Sequence, residues 1–197
     1  MERTRAVAAN LFLMGTTLLA QEQATLLWTM RHNGPPSGVD LPAAVALAPD
    51  GAIWVTGRSS GEHTGQDILT VGYSPGGTQT RVMRYDAAPS NWDEPHDIAV
   101  DGSGNIYVVG HSHAAGLVTL KYGATGAFQW VRTVSSPLQT EGIACVVSDD
   151  GTLYVAGRQI YPDFSTGFLV LAYAPDGTGP AGTATTMPAT RWPAECI

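Results

Sequence analysis

The sequence predicts an all-β protein assembled from four-stranded repeats of about fifty residues each. Three observations predict it. A strand–turn–strand unit closing on glycine occurs three times, ending at Gly57, Gly110 and Gly157, which lie 53 and 47 residues apart. A further strand ending on tyrosine follows each unit, at Tyr73, Tyr122 and Tyr173, 49 and 51 residues apart. The composition agrees: the 197 residues include 23 glycines and 13 prolines and only 14% charged residues, where an ordinary soluble domain has about a quarter. Short strands joined by Gly-rich turns give that profile, and a helical bundle does not.

Residues 1–20 read as an export signal. Arg3 and Arg5 give a basic start, and residues 6–20 form an apolar stretch of 15 positions interrupted by Asn10, Gly15, Thr16 and Thr17. A spanning helix needs roughly 18 apolar residues or more. Cleavage is expected after Ala20, although Leu18 is larger than ideal for its place; a retained anchor is the alternative. The expected location is secreted, extracellular or periplasmic.

The repeats occupy residues 21–178. A leading strand, Trp28-Thr29-Met30-Arg31, copies the last strand of a repeat. The first full unit runs through residues 46–57, with the turn Pro49-Asp50-Gly51, and continues through 67–73 and 80–86. Proline presets φ, Asp accepts the bend and Gly supplies positive φ. The second unit runs through 99–110, 117–122 and 129–133, and the third through 146–157 and 168–173. After Asp176-Gly177 no fourth strand is legible. Residues 179–197 have no strand period and read as a disordered tail.

A period of this length with four strands is that of a propeller blade. Residues 98–110, with their Ile-Ala-Val-Asp and Gly-Asn-Ile-Tyr-Val-Val-Gly, residues 117–122 and residues 28–35 together resemble the bacterial extracellular β-propeller repeat (SBBP-repeat) proteins. The resemblance spans residues 24–178 and implies four-stranded blades, about three of them plus the leading strand; it carries no catalytic motif. A closed ring needs roughly four to eight blades. The chain is therefore a fragment, or closes its ring by self-association with a second subunit, or stays an open arc with exposed edges.

The formal charge is −7, without clusters of Lys or Arg. That argues against nucleic acid as a partner, and against an anionic membrane surface. Cys145 lies in an apolar run and Cys196 near the C-terminus; the sequence leaves their pairing open. No zinc spacing, P-loop, nucleophile elbow or dinucleotide fingerprint is present, so no cofactor and no metal is expected.

Strand parity places tight turns at one end of each blade and longer connections at the other. Loops on a rigid scaffold carry binding. The candidate binding residues sit at that long-loop end: Arg58, Trp92, Asp93, His96, Asp97, His111, His113 and Arg158. Arg58, His111 and Arg158 each follow the closing glycine of a repeat and belong to one ring of positions. The expected function is a non-enzymatic binding scaffold for an extracellular protein or carbohydrate. The alternative is a metal-assisted hydrolase or lyase for a sugar or lactone, using His96, Asp97, His111 and His113.

Overall fold

A computed structural model of the chain describes residues 25–34, 38–61, 65–88, 91–135 and 138–179. The expected export signal and residues 180–197 of the expected tail lie outside them. The described residues form three antiparallel sheets and no helix. Blade one comprises β1 (Asp40–Leu47), β2 (Ile53–Ser60), β3 (Gln66–Tyr73) and β4 (Gln79–Tyr85). Blade two comprises β5 (Asp93–Val100), β6 (Ile106–Ser112), β7 (Gly116–Tyr122) and β8 (Phe128–Val134). Blade three comprises β9 (Gln139–Val147), β10 (Leu153–Ile160) and β11 (Thr166–Tyr173). Strands pair in sequence order within each blade, as the fourfold repeat predicts.

The turns follow the expected chemistry. Gly51, Gly104 and Gly151 close the turns between first and second strands at φ of 83°, 82° and 83°. Only glycine adopts that conformation without strain. Asp50 and Asp150 accept from the amides of Ala52 and Thr152 at 3.0 Å. In blade two the duty passes to Asp101. It accepts from the amides of Ser103 and Asn105 at 2.9 Å, from Asn105 Nδ2 at 2.7 Å and from the Tyr107 hydroxyl at 3.1 Å. Burial disfavours the Asp101 charge, but these hydrogen bonds outweigh it and hold its pKa below the usual range.

The core lies in the seams between blades. Trp54, Ile68 and Met83 of blade one meet Ile106, Val108 and Leu120 of blade two. Tyr107, Leu117 and Trp130 of blade two meet Leu153, Val155 and Tyr173 of blade three. Blade two is thus covered on both sides, and Ile106, Tyr107, Val108 and Val109 are consecutive and fully buried. Such a run has no alternation, as expected for a strand with two dry faces. Each of these side chains contributes about 1.5–3 kcal/mol on burial.

A clasp on the outer strand reinforces the second seam. Trp130 Nε1 donates to Pro175 O at 3.3 Å, and Arg132 Nε donates to Gly177 O at 2.8 Å. The indole lies against Tyr173, with ring centroids 6.0 Å apart, and rests on Gly177. Residues 25–34, expected as a leading strand, form no ladder. Backbone groups pair in a sheet only with a neighbouring strand, and this segment has none among the described residues. Trp28 nonetheless docks on blade one as Trp130 does on blade three. Its Nε1 donates to Pro75 O at 3.1 Å, its ring lies 6.4 Å from Tyr73, and it covers Gly77.

Candidate functional site

The first strands β1, β5 and β9 touch one another in order and form the innermost layer. Each carries one extra residue relative to the second strand beside it. The register shifts between Pro42 and Ala44 and between Pro95 and Asp97, while Gly157 faces Gly142 and Ala156 faces Ala144. The bulged residues are therefore Ala43, His96 and Ile143. Proline is tolerated there because a bulge leaves one ladder position unpaired. The bulge also explains the closing glycine of each repeat. A Cβ on Gly57, Gly110 or Gly157 would lie 2.3, 2.1 or 2.5 Å from the carbonyl oxygen of Leu41, Glu94 or Glu141.

The three bulges open onto one groove of about 500 Å³, which Glu94, Glu141 and Arg158 also line. It lies at the end of the blades where second strands turn into third strands and one blade passes to the next. Arg58, His111 and Arg158 do occupy one register position, opposite Leu41, Glu94 and Glu141 respectively. Arg58 Nη1 reaches across the seam to Glu94 Oε1 at 3.0 Å. Arg158 pairs with Glu141 within blade three. His96 Nδ1 donates to Gly142 O at 2.7 Å, because a carbonyl can only accept. That bond fixes the proton on Nδ1 of the neutral ring and leaves Nε2 as an acceptor.

His111 stands against His113 with ring centroids 5.1 Å apart, and His113 lies 6.1 Å from the exposed Trp92. Burial lowers the His111 pKa, and the neighbouring His113 and His96 lower it further, against the pull of Glu141 and Glu94. His111 is therefore neutral near pH 7. An aromatic path runs from Trp92 through His113 and His111 to the charged row.

The eight candidates are not mainly loop residues. Arg58, Asp93, His96, Asp97, His111 and Arg158 lie on strands, and only Trp92 and His113 lie in connections. The strands run further toward this end than the repeated apolar runs suggested, and in blade two the bulged segment, Asp93-Glu94-Pro95-His96-Asp97, is polar. Asp97 and Asp93 stand apart from the groove. Asp97 accepts from the amides of Ile98 at 2.9 Å and Cys145 at 2.8 Å, stitching β5 to β9. Burial and Asp97 together push the Cys145 thiol well above its ordinary pKa, so it is no nucleophile.

Asp93 is fully buried and accepts from the Ala87 amide at 2.7 Å, pinning the passage between blades. Asp40 does the same for Gly34 at 2.7 Å. Asp93 also gathers with Asp67 and Asp86, each offering an oxygen within 4.8 Å of the others. Among the described residues this is the one trio of metal-competent side chains so close together. Arg84 Nη1 lies 2.8 Å from Asp67 Oδ2. Asp67 and Asp86 were missed in the sequence because nothing in the repeat pattern brings the second-to-third turn against the next blade's first strand. The histidines and Asp97, the alternative metal set, do not form such a trio. The candidate binding residues left out two that line the groove, Glu94 and Glu141, which lie opposite His111 and Arg158 across the strands.

Residues 83–117 match the family model of the beta-propeller repeat, SBBP. The matched segment runs from β4 across the blade passage into β7, so it contains the β5 bulge and its glycine, Gly110. Among solved structures the chain is similar to a lignostilbene dioxygenase from Pseudomonas brassicacearum, at 14% identity and a TM-score of 0.46. That match covers 67% of this chain and 35% of the dioxygenase, so the chain spans about a third of its length. A fucose lectin from Kordia zhangzhouensis, solved with methyl-fucoside, is similar at 11% identity and a TM-score of 0.39. That match covers 69% of this chain and 93% of the lectin. No curated protein matches the sequence.

Proposed function

We propose that this is an exported, non-enzymatic binding scaffold whose innermost groove takes a carbohydrate. The observation that carries the reading is the row Arg58, Glu94, His111, Glu141 and Arg158, which crosses all three blades beside the bulged His96. It alternates donors and acceptors. A sugar hydroxyl both donates and accepts, and so satisfies such a row, whereas an anion or cation meets repulsion at every second group. Trp92 is exposed at the same end and offers a face on which a sugar ring stacks. The carboxylates face guanidinium groups, which suits them to accept hydrogen bonds. Export rests on residues 1–20.

The test is titration of the protein with a panel of soluble oligosaccharides, followed by calorimetry. At least one is expected to bind, with affinity falling about tenfold for Trp92→Ala and for Glu141→Gln, a loss of about 1.4 kcal/mol each. The melting temperature should stay put in both variants. Absence of saccharide binding at millimolar concentration, or binding indifferent to both substitutions, would sink the proposal.

A further inference from the structure

We infer that a second copy of this chain closes the ring, its residues 25–34 adding a fourth strand to β11. The two internal seams supply the rule for what each open face accepts. On the side that receives the next blade, Trp54 and Tyr107 occupy one register position, Ile68 and Leu117 another, and Thr70 and Thr119 a third. All are buried, with Tyr107, Ile68, Leu117, Thr70 and Thr119 at 0% exposure. The same three positions in blade three are Tyr154, Phe168 and Val170. They stand at 46%, 91% and 67% exposure. Blade three thus presents an intact receiving face that no other described blade covers.

The opposite face of blade one is open in part: Leu69, Val71 and Tyr73 form a buried cluster on it, while its inner strand is uncovered. Val45 and Leu47 are exposed, although Ile98, in the Val45 position of blade two, is buried in a seam. A cleft of about 320 Å³ lies beside them, lined by Trp28, Met30, Ile53, Val55, Leu69 and Val71. A seam joins a receiving face to a face of this second kind. One copy of the chain owns one of each.

The strand inventory has the same complementarity. β11 is a third strand that pairs with β10 and has no neighbour on its outer edge among the described residues. Residues 25–34 sit where a fourth strand sits, since Trp28 holds Pro75 O and Gly77 as Trp130 holds Pro175 O and Gly177. Among the described residues they have no third strand to pair with. An unpaired edge and an unpaired strand satisfy each other's backbone groups. Closed propellers hold roughly four to eight blades, a range that two sets of the three described blades meet. A head-to-tail contact that closes after two copies gives a ring in place of a filament.

The register follows from blade two, where Thr119 faces Arg132 and Lys121 faces Trp130. Val170 should therefore face Met30 of the second copy, and Ala172 should face its Trp28. The experiment is sedimentation equilibrium of the full chain, which should return twice the chain mass. Phe168→Asp combined with Val170→Lys should weaken the dimer about a hundredfold, as loss of a central apolar anchor does. Both side chains are exposed in the single chain, so its circular dichroism should not change. In a Cys196→Ser background, M30C with V170C should form a disulfide-linked dimer, and neither single substitution should. A monomer, an open-ended polymer, a dimer indifferent to the face substitutions, or no cross-link in the double variant would each overturn the inference.

Discussion

Asp86 sits with Asp67 and Asp93 at the joint between blades one and two, where Arg84 pairs with Asp67. Burial raises the Asp86 pKa, and the charges of Asp67 and Asp93 raise it further, against the Ala88 amide. A carboxyl whose folded pKa is raised favours the fold while protonated. Its contribution is full below its ordinary value of 3.8 and is lost as pH rises through the folded pKa. Asp86→Asn keeps an oxygen for the Ala88 amide, which now donates at 3.0 Å, and removes the charge. The variant should melt higher than the parent at pH 7, with the gap closing as pH falls below 3.8, when melting is followed by calorimetry across pH. A gap independent of pH would place the effect outside the carboxyl cluster. Asp101 works in the opposite sense, since its lowered pKa makes it stabilising above the carboxylate range and costs stability in acid. The sequence offered Asp93 as a candidate binding residue because it lies at the long-connection end of the blade. Its burial and its hold on the Ala87 amide make it a structural residue, and only the fold reveals that.

At the scale of one element, the bulged first strand is what turns a generic blade into a site. It moves Ala43, His96 and Ile143 out of the alternation and onto one groove. Its cost is that the second strand must carry glycine where the displaced carbonyl presses in. Gly110→Ala would put a Cβ 2.1 Å from Glu94 O, which is backbone and cannot rotate away. We predict a loss of about 3 kcal/mol in urea unfolding, in the range of overpacked cores. Gly102→Ala is the control, with no atom within 4 Å of its Cβ, and should change stability by less than about 0.5 kcal/mol. The strands, turn glycines and blade order were legible because each recurs at the repeat period of about fifty residues. The bulge was harder to read. Pro95 beside two acids suggested a loop, since proline interrupts a ladder. Yet Asp40-Leu41-Pro42 and Asp93-Glu94-Pro95 stand 53 residues apart, the same offset as Gly57 and Gly110. That shared offset was the available sign that the acidic segment belonged to a strand. Blade three has Gly142 where the others have proline, so the pattern fades there.

Across the whole molecule, stability is distributed by how many faces of a blade are covered. Blade two is packed between two neighbours and supplies the fully buried run from Ile106 to Val109. Among the described residues, blade one has one face in a seam and an outer face covered only over Leu69, Val71 and Tyr73, and blade three has one covered face and an open edge on β11. Opening free energies follow buried contact and backbone exposure, so they should rank in that order. Hydrogen exchange should find the slowest amides in β6 and β7, faster ones in β2 and β10, and the fastest ladder amides in β11. If a second copy covers β11, its amides should also slow as protein concentration rises, because binding to the folded state adds protection by mass action. The amides of β6 lie in a seam internal to one chain and should respond much less. Exchange measured at two concentrations separates these contributions. Concentration-dependent slowing confined to β11 and residues 25–34 locates the contact between copies, and uniform slowing would instead mean that the chain folds only as it associates.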